Sequence, residues 1–235
     1  VGINYRFDKE GAEETAKKAR EYGVRAEIYQ ADVGNKEDCK KLFEEFFRDF
    51  STIHVLINNA GGALKIPEGG FEKMPLEYWD EMIALNLNAA AYCSHYAVKN
   101  MIDNGIKGKI INISSVHSVV TYVRRKAFPY CAAKAGLNMF TQTLGVEVIK
   151  HGINVNCIAP GFIQTKATTR YTEEEMNAFL RKIPRGKLGR VEDITPLALF
   201  LADPEKSDFI VGQTFVVDGG QSIDGTIDFM LDTSI

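Results

Sequence analysis

The chain has little of what would tie it to an oxidising compartment, a membrane or a polyanion. Four cysteines occur in 235 residues, Cys39, Cys93, Cys131 and Cys157, each inside an apolar or helical stretch and none in CxxC spacing. They read as reduced core residues of a cytoplasmic protein rather than a disulfide framework or a metal site. No run of about 18 apolar residues appears. The opening VGINYRFDKEGAEE has neither the basic nor the apolar region of a secretory signal. Net charge is −3 with acids and bases interspersed, so no face is set up for nucleic acid or anionic lipid. HExxH and GxSxG are missing and the four histidines are scattered, which leaves metal-assisted or serine hydrolysis without its residues.

What is present is apolar residue in quantity, 45%, enough for one sizeable core. Strand-like runs occur at 1–5, 25–32, 55–60, 109–115, 153–161 and 213–220. Between them, the stretches 10–23, 36–50, 75–101 and 129–149 show helical periodicity, with Pro75 and Pro129 placed for first turns. Strands alternating with crossover helices predict a parallel sheet covered on both faces. The series runs without linker or repeat, so residues 1–235 are expected to form a single domain. Residues 162–190 form the richest irregular region, where Thr172 and Glu175 predict a capping box on a short helix.

Open parallel sheets bind ligands beyond the carboxyl ends of their strands. Here those ends carry "AD" at 31–32, "NNAGG" at 58–62, "SS" at 114–115 and "APG" at 159–161. Any one of these turns the chain equally well without a ligand; four on one rim predict a cleft. In "PYCAAK", Tyr130 and Lys134 are i and i+4 neighbours on a helix. An ammonium beside a phenol favours phenolate and lowers its pKa, giving a proton donor and acceptor near neutral pH. Alone, the pair also fits a half-buried tyrosine beside a solvated lysine.

In order and in combination, "DV" (32–33), "NNAG" (58–61), "LNLNAA" (85–90), "INISS" (111–115), "YCAAK" (130–134), "VNCIAPGFIQT" (155–165) and "VDGG" (217–220) make the chain similar to the short-chain dehydrogenase/reductase family over nearly its whole length. "SSVHS" looks most like the glucose dehydrogenase branch, and the remainder equally resembles 3-oxoacyl-carrier-protein reductases. The resemblance implies a Rossmann-like doubly wound α/β fold and an NAD(P)-dependent oxidoreductase acting on a carbonyl or secondary alcohol. It further implies a homotetramer or homodimer, with a small molecule as its other partner and no metal. By the same likeness Tyr130 exchanges the proton, and Lys134 holds the nicotinamide ribose and depresses the tyrosine pKa. Ser115 hydrogen-bonds the reacting oxygen and Asn86 completes a tetrad. Asn59, Ala60 and Gly61 are implied to lie against the adenosine, Asp32 and Val33 beside the adenine, and Pro160, Gly161, Ile163 and Thr165 at the nicotinamide end. "VDGG" reads as structural. Without the resemblance, Asn86 reads as tied to local backbone and Ser115 as an ordinary turn former.

NAD-preferring folds place an acid at the end of the strand that carries the ribose contact, whereas an arginine there suits a 2′-phosphate. Tyr5 stands at that position and Arg6 follows, offering a guanidinium to phosphate. The expectation is NADP, with NAD also possible; Asp8 and Glu10 lie close by.

The family pattern opens with a strand and a glycine-rich turn that holds the pyrophosphate at a helix N-terminus, and neither is found here. Roughly 25–30 residues are expected to be absent, by the fingerprint spacing. Losing a central strand would leave unpaired ladder groups and a gap in the core, so the chain is expected to be part of a longer polypeptide, with an intact mass above 26.2 kDa. A non-catalytic or truncated family member serving binding or assembly is the competing expectation. The spacing from Ser115 to Tyr130 is a little longer than usual in the family, and the extra residues include Arg124, Arg125 and Lys126. These form a solvated loop or face an acidic partner. Phe229, Met230 and Leu231 near the end would be costly to leave wet and suggest a neighbouring subunit. Substrate choice is assigned to the segment 162–190 and to side chains such as His117, Val119, Phe162 and Lys166.

Overall fold

The computed structural model describes residues 1–62, 69–121, 127–165, 168 and 171–223. Arg124, Arg125, Lys126, Lys166, Phe229, Met230 and Leu231 lie outside the described residues. Within them the chain follows the expected alternation: β1 Gly2–Tyr5, α1 Lys9–Glu21, β2 Glu27–Gln30, α2 Lys36–Phe50, β3 Val55–Asn58, α3 Leu76–Ile83, α4 Ala89–Asp103, β4 Lys109–Ile113, α5 Phe128–Val148, β5 Asn154–Pro160, α6 Glu173–Leu180, α7 Thr195–Ala202, α8 Pro204–Ser207 and β6 Thr214–Val217. Every strand pairing among the described residues is parallel. The fold is α/β and Rossmann-like, as the sequence predicts.

Local chemistry accounts for the helix boundaries. Asn35 caps α2 by accepting from the amides of Glu37 and Asp38, and Thr172 with Glu175 forms the expected capping box on α6. Pro129 stands in the first turn of α5, whereas Pro75 is the cap before α3. The periodic run 75–101 is not one continuous helix. It passes through a π-helical turn at Ala84–Asn88 between α3 and α4. Two short helices, α7 and α8, arise in a stretch without helical periodicity.

Pairing divides the strands into β1–β2 and β3–β4–β5–β6. Between the two groups runs a slot of about 660 Å³, lined by Gly2 and Asn4 of β1, by Leu56 and Asn58 of β3, and by Phe43 and Phe46 of α2. No described strand enters it. Val55 and Ile57 of β3 are 38% and 49% exposed, while Ile110 and Ile111 of neighbouring β4 are almost wholly buried. Parallel strands are ordinarily buried on both faces; beside the slot, β3 is not. The main core packs α2 and α4 onto the sheet through Phe43, Cys93, Met101, Ile110 and Val155. Among the described residues no helix is long and apolar enough to cross a membrane.

Candidate active site

Strands β4 and β5 end together. Their register pairs Ile113 with Ile158, which sets Ser115 level with Pro160 on the rim. Ser115 leaves β4 in extended conformation and caps a 3-10 turn, Val116–Ser118, its Oγ accepting the His117 amide at 3.2 Å. The same Oγ lies 3.0 Å from His117 Nδ1. Ser118 donates to the Ser115 carbonyl at 2.6 Å and accepts from Asn138 of α5 at 2.8 Å. The turn is thereby fastened to the helix that carries the tyrosine.

Tyr130 sits in the first turn of α5 and Lys134 one turn on, 3% exposed. A buried ammonium needs acceptors, and Lys134 Nζ finds the Ile113 carbonyl at 2.8 Å, remaining 5.9 Å from the centre of the Tyr130 ring. Burial lowers the lysine pKa to about 8. The tyrosine corrects the sequence-based expectation. Its pKa is raised, chiefly by burial, with smaller upward contributions from Cys131 and Tyr171, and the group that pulls it down is Ser115 through a hydrogen bond. Lys134 is not what tunes the phenol in this geometry, because its ammonium turns to a backbone carbonyl and both groups are desolvated.

Asn86 stands in the π-helical turn, 2% exposed. Its Nδ2 donates to the carbonyls of Met82 and Gly62, both at 3.0 Å, and its Oδ1 accepts the Gly62 amide at 2.9 Å. This reciprocal pair pins the NNAGG loop to the α3–α4 junction. A Cβ on Gly61 would fall 2.9 Å from Asn86 Oδ1 and 3.1 Å from Lys134 Nζ. Asn86, Gly61 and Lys134 therefore enclose a concave polar spot beside the Ser115–Tyr130 pair. A ribose, offering hydroxyl oxygens to an ammonium and an approachable glycine, fits this spot. Among the described residues none supplies a glycine-rich turn for a pyrophosphate.

The remaining expected contacts spread along the rim. Asn59, Ala60 and Gly61 are exposed at the end of β3, where Asn59 and Ala60 also line the slot. Arg6 meets a carboxylate that its sequence neighbours do not announce: its Nε pairs with Asp32 at 3.0 Å and its guanidinium lies over Phe7. The parallel register, Tyr5 opposite Gln30, carries the residues after both strand ends to the same place. Asp32 also accepts the Gly34 amide at 3.0 Å. Val33 is buried in the core cluster. Pro160 closes β5 and the Gly161 amide bonds the Val217 carbonyl. Ile163 bridges to Gly189, and the Thr165 amide donates to Thr168 Oγ1 at 3.2 Å. The structure thus gathers Asn86, Gly61, Ser115, Tyr130 and Lys134 at one point and distributes the others around it. Gly62, whose backbone holds Asn86, escaped sequence reasoning; the doubled glycine in NNAGG was its signal. His117, expected only among the side chains that choose the substrate, lies against Ser115.

A family model described as "Enoyl-(Acyl carrier protein) reductase" matches residues 1–222. The chain is 35% identical over 225 residues to 3beta-hydroxysteroid dehydrogenase 1 of Eggerthella lenta, covering 95% of this chain and 84% of that one. It is 34% identical over 226 residues to glucose 1-dehydrogenase 2 of Bacillus subtilis, covering 95% and 85%. Among solved structures, a gluconate 5-dehydrogenase from Burkholderia cenocepacia in complex with NADP and tartrate superposes with a TM-score of 0.82 at 29% identity, covering 95% of this chain and 85% of that one.

Proposed function

The chain belongs to the short-chain dehydrogenase/reductase family, and on that footing we propose that residues 1–235 form one catalytic domain that interconverts a secondary alcohol and a carbonyl at Ser115 and Tyr130. One observation carries the reading: a buried lysine and a buried asparagine converge on Gly61, where a Cβ would crowd both, beside a hydrogen-bonded serine and tyrosine. When bound, the nicotinamide supplies or accepts the hydride. This chain's residues manage charge and proton. Tyr130 holds the proton that a reduced carbonyl oxygen takes up, and in the reverse direction its oxygen receives the substrate hydroxyl proton. Ser115 faces the same oxygen and stabilises negative charge growing there. Lys134 presents its ammonium to the ribose and Asn86 holds the loop on which the ribose rests.

Support for NADP comes from Arg6 beside Tyr5 and from the gluconate dehydrogenase relative solved with NADP. The Asp32 carboxylate on Arg6 competes with a 2′-phosphate, so NAD is accepted as well. A kcat/KM for NAD at or above that for NADP overturns the preference. The substrate proposed is a sugar or a 3-oxoacyl compound, since a glucose dehydrogenase is among the relatives and the family model describes an acyl-carrier-protein reductase; the hydroxysteroid relative adds an alternative. Nucleotide-coupled turnover of a panel of sugars, 3-hydroxyacyl thioesters, β-ketoesters and hydroxysteroids tests it, and inactivity toward every member overturns it. Exposed apolar side chains, Val146 on α5 and Leu199 on α7, support a homotetramer or homodimer, to be weighed by light scattering. The competing reading is a non-catalytic family member that serves binding or assembly. Titration with NADPH, followed by its fluorescence, separates the two, since binding is required by the first.

A further inference from the structure

We propose that His117 is a positioning residue, donating from Nδ1–H to Ser115 Oγ so that the single serine proton is left for the substrate oxygen. This rests on the oxidoreductase reading above.

The argument is one of counting. A serine hydroxyl has one proton and two acceptor sites. The backbone amide of His117 occupies one acceptor site, at 3.2 Å. The imidazole Nδ1, at 3.0 Å, takes either the second acceptor site, as a donor, or the proton, as an acceptor. In the second case Ser115 has nothing left to give, and a serine that cannot donate does nothing for negative charge developing on a carbonyl oxygen. In the first it keeps its proton and points it away from both imidazole and amide. Its neighbour on the open side is Tyr130, whose ring centroid lies 6.2 Å from that of His117. A hydrogen bond joins Ser115 to Tyr130, and in this arrangement the serine proton is free to point toward the phenol oxygen. Donation in that direction is available only when Nδ1 carries the hydrogen.

The fold makes this arrangement stable. His117 is 8% exposed, and burial holds its pKa near 4, so the ring is neutral in ordinary buffers and carries one hydrogen. Its backbone sits in the Val116–Ser118 turn that Asn138 and Ser118 fasten to α5. That fastening fixes the backbone from which the imidazole projects, and burial of the ring favours the orientation in which Nδ1 meets Ser115 Oγ. A group fixed in this way sets the orientation of a reacting hydroxyl as a tautomer-fixing partner orients a catalytic imidazole.

Two measurements test the proposal. Long-range ¹H–¹⁵N NMR of the labelled protein reads the tautomer directly, with the His117 signals assigned by their loss in His117→Asn. A protonated Nδ1 and an unprotonated Nε2 are expected; the reverse tautomer overturns the proposal. This readout needs no turnover, so it stands or falls apart from the oxidoreductase reading. In kinetics, His117→Asn, whose amide reaches the Nδ1 position with a donor, is expected to keep kcat within about threefold. His117→Leu, which fills the space without a donor, is expected to lose roughly tenfold or more, since deleting an oxyanion donor outright costs about 10²–10³. Nucleotide Kd is expected to stay unchanged in both. A leucine variant with undiminished kcat overturns the proposal. Should the substitutions disturb folding, the tautomer in the wild-type protein decides alone.

Discussion

At the scale of single residues, the site depends on two groups whose protonation is set by depth. Burial raises the Tyr130 pKa further above neutrality, so the phenol holds its proton more firmly. Removing its hydroxyl removes the proton route and little else. Tyr130→Phe is therefore expected to lower kcat by about 10²–10⁴, the usual contribution of a general acid–base group, with nucleotide Kd changed by less than about threefold. Stopped-flow turnover and nucleotide titration measure both, and residual activity above a tenth of wild type would refute the role. Lys134 titrates near pH 8 because it is buried. For a base with a lowered pKa, the charged form prevails below that value and is lost above it. Ribose oxygens accept hydrogen bonds from the charged form, so nucleotide affinity is expected to fall as pH rises from 7 to 9.5, by at most about tenfold per unit. Lys134→Arg, charged throughout, is expected to flatten the profile. Calorimetric Kd values that stay level across this range in the wild type would exclude the lysine as the ribose contact. The sequence exposed this pair by its i, i+4 spacing, yet it misjudged which group tunes the phenol. Spacing along a helix says who is adjacent; it says nothing of how deeply both are buried, or that a strand carbonyl stands nearer the ammonium. The Arg6–Asp32 pair was hidden for a related reason: the residues are 26 apart and meet only because β1 and β2 pair in parallel.

At the scale of elements, strands and long helices were legible because their apolar periods are unbroken, and the α6 capping box was legible because it is a local hydrogen-bond pattern. The failures have physical causes. "TPLALFLADPEKS" is short and apolar almost all round, so α7 shows no periodic stripe, and Leu199 is indeed 72% exposed. The π-helical turn at Ala84–Asn88 inserts one residue into an otherwise helical run, too small a phase shift to read from composition. The elements are also held by a buried polar chain that no motif announced. Asn112 of β4, wholly buried, accepts from Asn58 of β3 at 2.8 Å and donates to Thr141 of α5 at 2.9 Å; Asn58 also donates to Ser94 of α4 at 3.1 Å. This chain links the strand before the NNAGG loop, the strand before Ser115 and the helix of Tyr130. Asn112→Ala would leave two buried polar groups short of partners and open a cavity. The expected loss is about 2–4 kcal/mol of stability, read as a lowered urea midpoint with unchanged slope. A loss below about 0.5 kcal/mol would mean that water replaces the asparagine and that the chain is not what fixes these elements.

At the scale of the whole molecule, the slot between β1 and β3 leaves both strands with a described partner on one side only. In a parallel strand successive residues direct their amide and carbonyl to alternate sides. Among the described residues each strand at the slot has one partner, β2 for β1 and β4 for β3, so every second residue on it faces the slot. Strand β4, paired on both sides by β3 and β5, has no such set. Native-state hydrogen exchange by NMR is therefore expected to split β3 into two classes, alternate amides differing by about a hundredfold or more, while Lys109–Ile113 show one protected class. The same asymmetry explains why Val55 and Ile57 remain wet beside a core that buries Ile110 and Ile111. Uniform protection along Val55–Asn58 would show that both edges of β3 are paired in solution. The rim residues Asn59, Ala60 and Gly61 would then continue a strand in the middle of an unbroken sheet, making the loop that carries Gly61 to Lys134 stiffer than a strand with one partner allows.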